Sequence, residues 1–188
     1  MLSIITPCMR PANLSAIYDS IIRQGAAWSW YICFDTFRLR KIEGQASIEL
    51  PLKLLDDPRV KLMAECDSSF SGTAQRNKAM DQLGEYPWVY FLDDDTALPP
   101  GLIALLTELN STDTNLVFIN QIRPEKFDVK SMDDVKAGQI GTMMFAATKT
   151  LIANTQWTGD LRHDWVFVET LLAKHPNILF SNLSVDML

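Results

Sequence analysis

The stretch WVYFLDDDTALPPG, Trp88 to Gly101, drives an apolar segment into three consecutive aspartates. Adjacent carboxylates repel one another and resist desolvation, so three of them at the end of a buried strand require a cation nearby. Asp93, Asp94 and Asp95 therefore point to a hard divalent ion, which takes oxygen ligands and commonly completes its shell with water and bound phosphates. Other acids fall at comparable places: Asp35 closes WSWYICFD (28–35), Glu65 closes VKLMAE (60–65), and Asp67 follows. In an open α/β sheet the carboxyl ends of the strands share an edge where ligands collect, so these acids are expected to line one cleft. Side chains alternate along an extended backbone, which predicts Asp93 and Asp95 on one side and Asp94 on the other. One or two carboxylates can then hold the ion while another accepts hydrogen bonds from ribose hydroxyls. In the plainer reading, one acid or Thr96 caps a helix beginning near Pro100. A cap accounts for one acid and leaves two unexplained.

The elements that must position these acids alternate in type. LSIIT (2–6), WSWYICFD (28–35), VKLMAE (60–65), WVYFL (88–92), NLVFIN (115–120) and IGTMMFAA (140–147) read as strands, each a short apolar run. Between them, NLSAIYDSIIRQ (13–24), TAQRNKAMDQL (73–83), PGLIALLTEL (100–109) and DWVFVETLLAK (164–174) read as helices, the third opening on a proline where a helix tolerates one. CDSSFSG reads as a turn, and residues 121–138 keep neither period and read as a surface excursion. Short apolar strands alternating with helices predict an α/β fold: a Rossmann-like, mostly parallel central sheet with helices on both faces.

With 188 residues, 47% of them apolar, the chain suits one domain over 1–188 with a proper core. Seventeen basic against 23 acidic residues give a net charge of −6, with no basic block, so nucleic acid is not an expected partner. Cys8, Cys33 and Cys66 are odd in number and widely spaced, as buried thiols of a reducing compartment are. No segment approaches the roughly 20 apolar residues of a membrane span, and the opening apolar run is too short for a signal peptide. A soluble, cytoplasmic protein is expected.

Taken in order, LSIITPCMRPANL, the block SGTAQRNKAMDQLGEYPWVYFLDDDTALPPG, and the late IGTMMFAATKTLI and HDWVFVETLL resemble successive motifs of family 2 glycosyltransferases, over about residues 1–175. These are inverting enzymes of the GT-A nucleotide-diphospho-sugar fold. The resemblance implies that Thr6, Pro7 and Arg10 approach the nucleotide, and that Asp35 faces its base. Arg76 and Asn77 match a helix segment beside the donor, here Ala74-Gln75-Arg76-Asn77 with one residue inserted. LDDD matches the metal-binding DxD motif, which implies Asp95 as direct metal ligand with Asp93, and Asp93 or Asp94 as ribose contact. Asp164 matches a general base. His163 stands where the family has glutamate, and Cys8 and Met9 replace polar residues of the first loop. The implied cofactors are Mn²⁺ or Mg²⁺ and a nucleotide-sugar donor, UDP being the family's commonest, with a saccharide or other hydroxyl-bearing acceptor.

Each assignment has a bland counterpart. Arg76 on an amphipathic helix is by default a solvated charge, Asp164 an N-cap, and His175 a C-terminal helix cation. Trp157 lies in a segment polar enough to be exposed and either stacks on a sugar or packs in the core. For glycosyl transfer, a metal at Asp95 would stabilise charge on the leaving phosphate and Asp164 would take the acceptor's proton. A glycoside hydrolase needs only two carboxylates and no nucleotide edge. A haloacid-dehalogenase-type phosphatase requires Asp-x-Asp-x-Thr on its first strand, whereas Thr96 falls one residue early and Ala97 occupies its place. A nucleotidyltransferase should carry a glycine-rich first loop, and TPCMRPANL has none. The reading of a different class is a nucleotide-sugar-binding protein without turnover, which the early end at SNLSVDML leaves open.

Overall fold

The apolar runs become strands because burial on both faces suits continuous Val, Ile and aromatic sequence. β1 (Leu2–Cys8), β2 (Trp28–Asp35), β3 (Val60–Glu65), β4 (Trp88–Phe91), β5 (Leu116–Gln121), β6 (Phe145–Thr148) and β7 (Ile178–Val185) form one seven-stranded sheet in the order β3-β2-β1-β4-β6-β5-β7. The computed structural model describes residues 2–25, 27–42, 50–65, 72–109, 111, 113–122, 126–159 and 162–188. β1 lies at the centre, with Leu2 opposite both Trp28 and Trp88. The sheet is mostly parallel. β6 runs antiparallel to both of its neighbours, β4 and β5, while β5 and β7 pair in parallel.

Helices cover the two faces: α1 (Leu14–Ile22), α2 (Thr36–Ile42), α3 (Leu52–Leu55), α4 (Thr73–Met80), α5 (Leu102–Glu108), α6 (Lys149–Ile152) and α7 (His163–Leu172). Alternation along the strands sorts the core into two clusters. Leu2, Ile4, Trp30, Trp88 and Tyr90 pack with Leu14, Ile17 and Ile21 of α1 and Leu102 and Leu106 of α5. Ile5, Tyr31, Val89 and Phe91 face the other way, toward Ala79 of α4 and Phe167, Val168 and Leu171 of α7. Among the described residues no helix is long and apolar enough to cross a membrane.

Several expectations change at this level. The run at 140–147 opens as a 3-10 turn, Thr142–Met144, and only then becomes β6; the turn directs Thr142 to the sheet edge instead of pairing it. α5 begins at Leu102 behind Gly101, whose φ is +83°, and no side chain caps it, so neither the aspartates nor Thr96 act as its cap. Trp157 is 3% exposed and stacks on Phe167 with centroids 4.0 Å apart, which removes it as a sugar platform. α2, α3, α6 and β7 have no counterpart in the periodicity. The first three are short, and β7, an edge strand of mixed polarity, is set by its pairing with β5. Cys8 and Cys33 are buried, and burial pushes the Cys33 thiol up to about 12. Cys66, Asp67 and the turn expected from CDSSFSG, at residues 66–71, lie outside the described residues.

Far from the aspartates, Asp57 ties the start of β3 to α1 and β2. It accepts from the Tyr18 hydroxyl at 2.8 Å and from Arg59 Nη2 at 2.6 Å, and the Arg59 guanidinium lies 3.8 Å from the Trp28 ring centroid. The Arg59 hydrogen bonds hold the Asp57 carboxyl well below the usual range, against desolvation. A carboxyl lowered on folding stabilises above its unfolded value near 3.9, and that contribution fades as pH falls toward the folded value. Asp57→Asn is therefore expected to cost about 1–2 kcal/mol at pH 7, with solvent screening at Arg59 included. In urea titrations the gap to the wild type should narrow steadily below about pH 4.

Candidate functional site

The loops after β1, β2 and β4 meet at the carboxyl edge of the sheet in a cleft of about 320 Å³. The aspartates do not alternate as an extended strand would have them. β4 ends at Phe91, and the chain turns at 93–96, where the Thr96 amide donates to the Asp93 carbonyl at 3.2 Å. The turn sends Asp93 toward α4 and both Asp94 and Asp95 toward Arg10.

The three carboxylates have three different surroundings. Asp94 is buried; its Oδ2 accepts from the Met9 and Arg10 amides at 2.6 and 2.7 Å, and its Oδ1 from Arg10 Nη1 at 2.9 Å. Asn13 Nδ2 donates to the Asp94 carbonyl at 2.9 Å, so this residue staples the β1 loop to the β4 loop. Asp95 is held at the rim by the same Arg10 Nη1 and by the Thr96 hydroxyl at 3.2 Å. Asp93 pairs with Arg76 Nη2 at 2.7 Å. Desolvation raises the Asp93 carboxyl, opposed by Arg76 and reinforced by the negative charges of Asp164 and Asp95.

Arg76 is 3% exposed, not a solvated surface charge. Its guanidinium lies 5.0 Å from the Trp157 ring centroid and reaches Thr142 Oγ1 at 3.4 Å. The Thr142 hydroxyl donates to Asp164 Oδ1 at 2.7 Å, and His163 Nε2 lies 3.1 Å from that same oxygen. Burial raises the Asp164 carboxyl, but the His163 and Thr142 hydrogen bonds and the positive charge of Arg76 outweigh it and leave it lowered. Asp164 is thus a carboxylate at neutral pH. α7 starts at His163, and Asp164 lies in the first turn with its side chain turned to Thr142, so it is not the N-cap.

The expected donor contacts divide. Pro7, Arg10, Asp35, Arg76, the three aspartates and Asp164 all line the cleft. Thr6 and Asn77 do not. Thr6 is fully buried and accepts from Trp30 Nε1 at 2.9 Å, while the Asn77 amide binds the Trp157 backbone N–H and carbonyl at 2.8 and 2.9 Å. Asp35 caps α2, accepting from the Arg38 amide at 2.9 Å, and sits with Arg38 in the cleft wall. Glu65 pairs with Lys78 at 3.1 Å. His175 closes α7 in the left-handed region, with φ +53°.

Gly72, Arg38 and Thr142 also line the cleft and escape a reading by motif. Gly72 has φ +76°, and a Cβ there would stand 2.6 Å from Pro7 Cβ. Its backbone freedom lets the start of α4 close on the β1 loop and brings Arg76 to Asp93. Glycine before a predicted helix is the one available signal, and it does not reveal the close approach. Gly72→Ala is expected to cost about 1–3 kcal/mol in thermal unfolding, as left-handed strain with backbone displacement does.

Among the described residues no three His, Cys, Asp or Glu side chains converge as a metal cage. Asp93 and Asp95 both line the cleft, and an ion held there would take one or two carboxylates and draw its other ligands from phosphate and water. Arg76 is buried and fixed, whereas the Arg10 side chain is 49% exposed and can leave Asp95. Arg10→Ala is accordingly expected to raise Mn²⁺ affinity several-fold in the absence of nucleotide, read by electron paramagnetic resonance of the free ion.

No sequence-family profile and no curated protein matches the chain. Solved structures match its fold. S. aureus TarS 1–349 superposes with a TM-score of 0.73 at 12% identity, over 99% of this chain and 60% of that one. The mannosyltransferase PcManGT from Pyrobaculum calidifontis, in complex with GDP-Man and Mn²⁺, gives 0.70 at 11%, over 98% and 56%. A 4-diphosphocytidyl-2C-methyl-D-erythritol synthase from Anaerococcus prevotii gives 0.56 at 10%, over 97% and 87%. The chain has the α/β GT-A nucleotide-sugar transferase fold and spans under two thirds of the first two structures.

Proposed function

We propose that this chain is a metal-dependent, inverting glycosyltransferase that moves a sugar from a nucleotide diphosphate to an acceptor hydroxyl. The observation that carries the reading is the chain of contacts Asp93–Arg76–Thr142–Asp164, which ties an ionised, hydrogen-bonded carboxylate into the same cleft that the rim carboxylate Asp95 lines. In a single displacement the acceptor oxygen bonds to the anomeric carbon as the bond from that carbon to the phosphate oxygen breaks. The electron pair leaves with the diphosphate, and the acceptor proton passes to Asp164. A divalent ion at Asp95 and Asp93 would stabilise the charge on the departing phosphate.

The residues divide this work. Arg76 holds Asp93 in place and, by its positive charge, helps keep Asp164 ionised. Arg10 is a cation at the mouth of the cleft, free to meet a phosphate once it leaves Asp95. Asp94, spent on the β1 loop, shapes the site, so ribose falls to Asp93. Asp35 and Arg38, at the far wall, suit a base with both an N–H and a carbonyl, as uracil and guanine have. UDP is the preferred nucleotide, and GDP belongs in the same test because PcManGT was solved with GDP-Man. A cytoplasmic setting accords with the buried thiol of Cys33.

The competing reading is a binder of nucleotide sugars without turnover. A nucleotidyltransferase is disfavoured because the β1 loop contains no glycine to cradle phosphate. A dehalogenase-type phosphatase is disfavoured because the aspartates follow β4 and Asp94 serves as a staple. Calorimetric titration of UDP and of GDP, with and without Mn²⁺, is expected to give binding that needs the metal and is lost in Asp95→Ala. With UDP- and GDP-sugars, Asp164→Asn should retain donor binding while turnover falls by roughly 10²–10⁴. Binding without any turnover in the wild type would favour the binder, and silence from every nucleotide would sink both readings.

A further inference from the structure

The first turn of α7 presents three consecutive side chains to different surroundings. His163 lines the cleft, Asp164 borders both the cleft and a second pocket, and Trp165 lines the second pocket alone. Successive helical residues point about 100° apart, so one rigid turn sets a carboxylate in the wall between two compartments. The second pocket has a volume of about 250 Å³. Sites for drug-sized ligands occupy roughly 300–1,000 Å³, so this one suits a single ring.

Its lining has the chemistry of a hydroxyl-rich ring with one apolar face. Trp165 and Phe127 are half-buried and backed by the core beneath β5 and β6, which leaves rigid aromatic surface along the pocket. Gln121, Gln139 and Arg162 supply amide and guanidinium groups around it, and Asp164 is the one carboxylate among the lining residues. The wall is closely packed at Gly141, where a Cβ would come within 3.3 Å of Met143 Sδ and 3.7 Å of Gln121 Oε1. A single exposed arginine is a weak basis for phosphate, whereas an aromatic plate ringed by amides is a strong one for a sugar. Thr142 and His163 both engage Asp164 Oδ1, which leaves Oδ2 to meet an incoming hydroxyl.

We propose that this pocket is the acceptor subsite and that it takes the terminal ring of a saccharide, the apolar ring face on Trp165 and one hydroxyl toward Asp164. The acceptor role rests on the transferase reading above; the binding of a sugar ring can be tested apart from it. The experiment is saturation-transfer NMR on the whole protein with methyl glycosides of glucose, galactose, mannose and N-acetylglucosamine, and with glycerol 3-phosphate as an anion control. At least one glycoside is expected to bind through its ring protons. Trp165→Ala should weaken it tenfold or more, Gln139→Ala, at an exposed position, should weaken it several-fold, and Trp165→Phe should largely keep it. Nucleotide binding, measured separately with Mn²⁺, should be the same in all three variants. Silence from every glycoside, binding indifferent to both Trp165→Ala and Gln139→Ala, or binding of glycerol 3-phosphate alone would overturn the proposal. If nucleotide binds and no glycoside does, the proposal fails and the transferase reading stands. If a glycoside binds at Trp165 and no nucleotide binds, the pocket is a saccharide site and the transferase reading falls.

Discussion

Three adjacent carboxylates at the end of a buried strand are tolerated only if their charge is met, and most of the site follows from how this chain meets it. Two arginines divide the task. Arg76, buried, faces Asp93; Arg10, half-exposed, bridges Asp94 and Asp95. A buried guanidinium without a partner would cost several kcal/mol, so Arg76 and Asp93 fix each other's position. The exposed pair is weaker and exchangeable. The same charge problem thus produces one rigid contact and one that a ligand can replace, side by side on a single turn.

Holding Arg76 under the cleft requires support from elements remote in sequence. Gly72 lets the start of α4 close on Pro7, and Trp157 forms a wall beside the guanidinium. Trp157 is in turn fixed by stacking on Phe167 of α7 and by the Asn77 amide, which binds its backbone on both sides. α4, the segment before α7 and α7 itself therefore behave as one packed unit, with Thr142 linking Arg76 to Asp164 through a single hydroxyl. Asn77 serves the site as a brace for Trp157.

The antiparallel β6 completes the arrangement. A parallel strand beside β4 would enter from the opposite edge of the sheet. β6 instead starts at the edge where β4 ends, so the 3-10 turn before it delivers Thr142 between the aspartates and Asp164. The sheet order places β6 between β4 and β5, and the second pocket opens where Gln121 at the end of β5 approaches that same turn. The cleft and the second pocket are neighbours because their strands are.

The strands, the main helices and the cleft edge were legible in the sequence because apolar periodicity and an acid at a strand end are local properties. WSWYICFD and VKLMAE have the same limits in sequence and structure. Arg76, Asp93 and Asp164 were also legible as residues, through the order of their motifs. Their partners were not: the burial of Arg76, the stapling by Asp94 and the burial of Trp157 each depend on groups from about 17 to 85 positions away in the chain. The alternation expected for Asp93 to Asp95 failed because the strand ends two residues earlier, and a turn has no two-residue period. Sequence alone determined which groups are present and which elements carry them, since propensity and hydrophobic pattern act over a few residues. Tertiary structure decided which carboxylate is fixed, which can exchange its cation and which stands between two pockets, because charge compensation and desolvation are set by neighbours in space.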